Sequence, residues 1–402
     1  MSIIIDPLSI TSILTLRYDL TYDPPLSKLT WNDFTEKLSS KPEKTVEEII
    51  SNSYSESLGK KENVGIALSS GVDSTLLLTL LKKKYPKIHV DSFSIRFSNS
   101  FDETVMAKTI ADKFNSTHHI IEVENFFEEL PKAISITQLP FWDIHWYYLA
   151  KYASQYTSDI ISGEGADELF GGYTFRYDNF LHITKKNSSK REKTISYLEC
   201  HQRDWVPDQE QLFGSNLHFD WKEFYSIIDE YFDNDLPLLD QVLLADFNGK
   251  FLYNFLIVNS KINSHFKLNS VAPFLDKKLI KFATHLSNKN KYAFDQNIGK
   301  LVLRSLLQKY DMEKFVLPKK QGFSVDTKNH WERYGKKLCK NYLLEGEIVK
   351  EKLINKKWIT DYLEKDLDVR YVNKFYGLLA FEIWYRLFVT KNLSDSEKLS
   401  IK

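Results

Sequence analysis

From residue 64 onward, short apolar runs alternate with amphipathic stretches of helix length, and that alternation predicts a parallel α/β sheet. The run VGIAL at 64–68 reads as a buried strand, followed by a glycine turn and the helical pattern of 75–81. Residues 89–97, 119–123 and 159–162 are further strand candidates, with helices expected at 102–114 and 146–156. Beyond Leu236 the strand signals fade, and long helical patterns cover 239–258, 278–286, 300–310 and 373–389. The expected fold class is therefore α/β, with a mostly helical C-terminal portion. The organisation it suggests is a linker-like segment with a leading helix at 1–60, an α/β domain at 61–235 and a helical portion at 236–402.

Composition narrows the function classes. The chain has 402 residues, 43% hydrophobic and 27% charged, enough for two cores. Lys and Arg total 54, as do Asp and Glu, so no global field favours nucleic acid or an anionic membrane. Cys200 and Cys339 are far apart and form no C-x-x-C pair, which suits a reducing, cytoplasmic setting and small core residues rather than a disulfide framework. Asp6 and the lack of a basic segment before the early apolar run argue against a secretory signal, and no stretch approaches membrane-spanning length. The polar, basic run at 185–192 reads as a solvated loop, and the 22 Tyr, 27 Phe and 8 Trp fall mostly at core spacing.

Two loops carry candidate chemistry. The first, SSGVDST at 69–75, lies between a strand and a helix, where backbone N–H groups, a glycine and several hydroxyls can cradle phosphate oxygens. The GxxxxGK[ST] pattern is absent, so γ-phosphate transfer of that class is not supported. The second, ISGEGADELFGGY at 161–173, sets three carboxylates among four glycines after an apolar segment. Taken alone, it could be a helix cap in which Asp167 and Glu168 favour the N-terminal dipole. It could also be half of a metal–nucleotide site whose other half is the first loop, since Mg²⁺ takes hard oxygen ligands and each loop offers a carboxylate.

SSGVDST resembles the SGGxDS pyrophosphate loop of the N-type ATP pyrophosphatases, with Ser70 where that family usually has glycine. GEGADELFGGY closely resembles a loop of the asparagine synthetases and their β-lactam-synthetase-like relatives. VAPFLD at 271–276 is similar to the family's RVPFLD, KLVLR at 300–304 to its K-x-x-LR, and PKKQGF at 318–323 to its P-K-x-G-F. The resemblance implies an N-type ATP pyrophosphatase fold, of the HUP-like, adenine nucleotide alpha hydrolase-like class. It also implies an ATP-dependent amide-forming ligase that activates a carboxylate, aspartate by family precedent, as an acyl-adenylate with release of pyrophosphate. Ammonia or an amine would then displace AMP. Carried over residue by residue, Asp73 and Asp167 would hold Mg²⁺. Ala67, Ser69, Ser70, Gly71, Val72, Asp73, Ser74, Thr75, Ile95, Ser162 and Gly163 would bind ATP. Glu164 would be the proton acceptor, with Glu168 in support, and Lys320 would stand near the α-phosphate. Asp102 and Glu103 also resemble a family position, although capping explains Asp102 equally well.

Two departures matter. About sixty residues before the first loop are too few for the family's glutaminase of roughly two hundred residues, so that domain is not expected in this sequence, and Leu16-Arg17-Tyr18 with Pro24-Pro25 resemble the linker that follows it. Nitrogen is then expected from free ammonia, a separate glutaminase subunit or an amine substrate. Where the family reads D-R and E-x-R, this chain has Ser260-Lys261 and Asn269, Ser270, Val271, removing partners for a small charged substrate. A ligase acting on a peptide or secondary metabolite, a tRNA-modifying ATP pyrophosphatase and a non-catalytic scaffold subunit remain alternatives. Histidine-based metal chemistry is not expected, since His118-His119 begins a strand and His145 stands alone. No nucleic-acid or membrane partner is expected, and homo-oligomerisation is left open.

Overall fold

The computed structural model describes residues 6–37, 39–98, 100, 102–201, 205–316 and 326–401. Its centre is a parallel sheet of β1 (Asn63–Ala67), β2 (His89–Phe97), β3 (Thr117–Val123), β4 (Asp159–Ile161) and β5 (Asn269–Val271). The spatial order is β3-β2-β1-β4-β5. This is the parallel α/β class anticipated, and four of the five strands lie where the apolar runs placed them. The chain leaves β1 for β2 on one side and reaches β4 on the other, so β1 and β4 flank a topological switch point, where such sheets open a crevice at the carboxyl ends of their strands.

Strand alternation sorts two cores onto the two faces. Val64, Ile66 and Leu68 join Val90 and the apolar side of α3 (Val72–Lys84), together with α2 (Pro42–Leu58) and the helix Leu301–Lys309. Ala67, Phe93, Ile95 and Phe97 face the other way, onto α5 (Leu130–Thr137), α6 (His145–Ala153) and the helix Val369–Phe388. Both cores also take residues from the N-terminal segment: Leu16 and Tyr18 enter the first, Ile10, Ile13 and Leu14 the second. The leading helix, α1 (Pro7–Leu16), is tied to the C-terminal helix by Lys374, whose buried ammonium donates to the Leu14 carbonyl at 2.7 Å. Cys200 and Cys339 are buried free thiols. Among the described residues no helix is long and apolar enough to cross a membrane.

Three expectations are corrected. β5 lies where strand signals were read as faded: its Asn-Ser-Val triplet offers no apolar run, and its first two residues are exposed. It is a strand because β4 recruits its backbone, with Asn269 N–H on the Ser158 carbonyl at 2.8 Å and Ser162 N–H on the Val271 carbonyl at 3.0 Å. The helix expected at 239–258 is not continuous. Leu238–Asp246 gives way to a wide-turned π segment, Phe247–Phe255, before Leu256–His265, and Gly249 leaves helical geometry at φ −99°, ψ −121°. The basic run at 185–192 becomes helical from Lys190, because Ser189 and Glu192 form a reciprocal capping box.

The sheet is packed tightly at Gly65, where a Cβ would lie 2.7 Å from Thr157 Cγ2 and 3.1 Å from both Phe93 and Ile160 side chains. Gly65→Ala should therefore lower stability by about 1–3 kcal/mol through overpacking. Urea unfolding would show this as a lower midpoint at unchanged slope, and an unaltered midpoint would refute the packing argument.

Candidate functional site

The strand β1 hands the chain to α3 through the serine loop. Leu68 is pinned first: its N–H donates to the Phe93 carbonyl at 2.9 Å and its carbonyl accepts from Ser94 Oγ at 2.6 Å. The loop then closes on itself. Ser74 Oγ accepts from Ser69 N–H at 3.1 Å and lies 3.1 Å from Ser69 Oγ, while Gly71 N–H donates to Ser69 Oγ at 3.1 Å. Ser69 and Ser74 are thereby held at the N-terminus of a thirteen-residue helix, whose positive end favours an anion.

On the neighbouring strand, β4 hands the chain to the short helix α7 (Ala166–Phe170), which is bracketed by Gly165 at φ +88° and Gly171 at φ +75°. Both are left-handed conformations that side chains other than glycine's resist, so the sharp entry and exit depend on glycine. Between the two loops lies a cavity of about 320 Å³. Ala67, Ser69, Asp73, Ser74, Ser162, Gly163, Glu164 and Asp167 are on its wall. Of the other sequence-predicted residues, Ser70, Gly71, Val72, Thr75 and Ile95 are not. The Ser70 and Thr75 side chains are sealed beneath the loop. Lys320, with all of 318–323, lies outside the described residues.

Asp73 and Asp167 come together around a third residue. The Lys300 ammonium donates to Asp73 Oδ2 at 2.5 Å and stands 2.6 Å from Asp167 Oδ1. With its side chain only 7% exposed, burial would discharge it, but the two carboxylates outweigh that and hold its pKa above the ordinary lysine value. Gly172 makes the approach sterically feasible: a Cβ there would fall 1.7 Å from Asp167 Oδ1 and 2.6 Å from Lys300 Cε. Gly163 plays a similar part beside Asp73, where a Cβ would lie 3.0 Å from the aspartate Cβ. The KLVLR match placed Lys300 in a motif but gave it no role, since its partners sit in distant stretches of chain.

Two carboxylates that already share one cation offer two hard oxygens of the kind a divalent metal takes. Among the described residues no group of three or more His, Cys, Asp or Glu converges, so the rest of a Mg²⁺ shell would have to come from phosphate oxygens and water, the usual arrangement for that ion.

Glu164 faces the same cavity. It accepts from Asn259 Nδ2 and, at 3.2 Å, from Ser162 Oγ. Burial pushes its carboxyl pKa upward, and these two hydrogen bonds only partly reverse the shift. Glu168 accepts from the Tyr173 hydroxyl at 2.6 Å. The remaining wall was missed by sequence reasoning: His145 and Trp146 at the start of α6, Phe251 and Phe255 on the π segment, and Asn259. His145, read as standing alone, is on this wall, and burial lowers its pKa. The wide turn that aims the two phenylalanines inward has no signature in residue spacing. Asp102, one residue before the N-cap Glu103, accepts from Thr104 N–H at 2.9 Å at the start of α4 (Thr104–Lys113) and stands off the wall. Lys261 is also off it, donating to Tyr22 Oη and the Thr137 carbonyl, both at 2.6 Å.

The asparagine synthase family model matches residues 45–386. Asparagine synthetase [glutamine-hydrolyzing] 1 of Bacillus subtilis is 24% identical over 369 residues, covering 83% of this chain and 57% of that protein. The human asparagine synthetase [glutamine-hydrolyzing] is 31% identical over 186 residues, covering 41% of this chain and 32% of that one. The chain thus spans little more than half the length of the first of these relatives. Among solved structures, NMN synthetase from Francisella tularensis matches at 17% identity and a TM-score of 0.27, covering 58% of this chain and 98% of its own, too loose a likeness to bear on the reaction.

The raised pKa of Glu164 has a stability consequence. Below its unfolded value, near 4.5, both states bind the proton and no penalty arises; as pH climbs through the higher folded value, ionising the buried carboxyl costs stability, at most about 1.4 kcal/mol for each unit of displacement. Glu164→Gln removes the titration. Its melting temperature should rise relative to the native chain between pH 4.5 and pH 8, and a difference independent of pH would contradict the assignment.

Proposed function

This chain belongs to the asparagine synthase family, and from that premise and its cavity we propose that it is an ATP-dependent, amide-forming ligase that releases AMP and pyrophosphate. The observation that carries the reading is convergence. Loops after two adjacent parallel strands bring a serine cradle, a pair of carboxylates and an elevated glutamate to one cavity of small-molecule size.

In this reading a substrate carboxylate attacks the α-phosphorus of ATP, forming an acyl-adenylate, and ammonia or an amine then displaces AMP. Ser69 and Ser74, with the N-terminus of α3, receive the pyrophosphate and stabilise the charge that grows on it. Asp73 and Asp167 would hold Mg²⁺, which when bound neutralises phosphate charge. Ser162 and Gly163 supply the backbone beside adenine. Glu164 accepts the proton the attacking nitrogen must lose; burial makes its carboxylate a better base than an exposed one, and Asn259 and Ser162 orient it. Lys320 is assigned to the α-phosphate on its sequence match.

Aspartate is the first acyl substrate to try, on family membership. The aromatic wall of Trp146, Phe251 and Phe255 favours a second reading, a bulkier carboxylate from a peptide or secondary metabolite. Nitrogen would come from ammonia, an amine or a separate glutaminase subunit, and a cytoplasmic location is proposed with it.

ATP–pyrophosphate exchange over a panel of carboxylates, with Mg²⁺, tests the proposal: at least one should support exchange, and formation of ADP, or no exchange with any, overturns it. Glu164→Gln should leave exchange within severalfold of native yet slow amide formation by about 10²–10⁴-fold. Equal losses in both steps would remove Glu164 from the role of base.

A further inference from the structure

The place where Asp73 and Asp167 converge is taken by Lys300. These acids belong to the loops after β1 and β4, while the lysine opens the helix Leu301–Lys309, so three distant segments meet at one nitrogen. Its backbone is fixed: φ is +60°, the N–H donates to the Phe170 carbonyl at 2.9 Å, and Gly172 leaves room only for the side chain now beside it. The lysine stem beyond that anchor is four flexible carbons ending in a compact charge. Two carboxylate oxygens that share one nitrogen at hydrogen-bond distance are also close enough to share one metal ion. An ammonium and a divalent ion therefore compete for the same seat.

We infer that Lys300 is a resident counter-cation, a positioning residue that keeps Asp73 and Asp167 in register and yields their shared seat to a divalent ion only when nucleotide phosphates arrive with it. A bare ion would have to displace two charge-assisted contacts and strand an ammonium in a position with almost no access to water. Phosphate oxygens in the serine cradle change that balance, because they give the displaced ammonium new anionic partners within reach of its stem. Metal and nucleotide then raise each other's affinity by the same factor. The inference rests on the ATP reading of the cavity.

The test is direct Mn²⁺ binding to the full chain, followed by electron paramagnetic resonance, with and without a non-hydrolysable α,β-methylene ATP analogue. Native protein should bind Mn²⁺ at least tenfold more tightly with the analogue than without it. Lys300→Met should bind Mn²⁺ alone at least tenfold more tightly than native, with most of the analogue's enhancement lost, while Lys300→Arg, which retains a cation, should stay near native. Lys300→Gln replaces the methionine variant if that one fails to fold. A neutral variant that binds Mn²⁺ alone no better than native overturns the inference while leaving the ligase reading intact. A native chain that binds neither Mn²⁺ nor the analogue overturns both.

Discussion

Two carboxylates from separate loops sharing one buried ammonium is the contact on which the site's shape depends. Asp73 rides on the first turn of α3 and Asp167 on α7, and without a cation between them their charges would push the ends of β1 and β4 apart. Lys300 supplies that cation from a third segment. A cluster of this kind is costly to desolvate and costly to break, because removing any member leaves an uncompensated charge in a poorly hydrated place. It is therefore weak support for overall stability and a strong device for fixing position.

Glycine makes the contact possible. Gly165 and Gly171 let the chain enter and leave α7 in left-handed conformations, and the missing Cβ of Gly172 is the space in which Asp167 meets Lys300. The acids of the second loop are thus sorted by packing rather than by identity. Asp167 points to a cation, Glu164 to the amide of Asn259, and Glu168 to the hydroxyl of Tyr173. Three chemically similar side chains within five residues acquire different partners.

Much of this was legible in the chain. The apolar runs marked β1 to β4 because buried parallel strands favour hydrophobic residues, and the turn residues after β1 and β4 marked the two loops that line the cavity. β5 was illegible because a three-residue strand with two exposed positions is defined by its neighbour's backbone groups. The break at Gly249 was likewise silent: hydrophobic spacing continues through the π segment, and only packing shows that the turn widens and swings Phe251 and Phe255 toward the cavity.

The sequence by itself determined the layered architecture and the two loops that line the cavity, since periodicity, turn residues and local charge are properties of neighbouring positions. Tertiary structure alone decided which side chains meet. Lys300 on Asp73 and Asp167, Asn259 on Glu164, and the aromatic residues that share a cavity with the serine loop all join segments far apart in the chain. The sheet order β2-β1-β4 brings the first loop beside the second, and no local pattern encodes that adjacency.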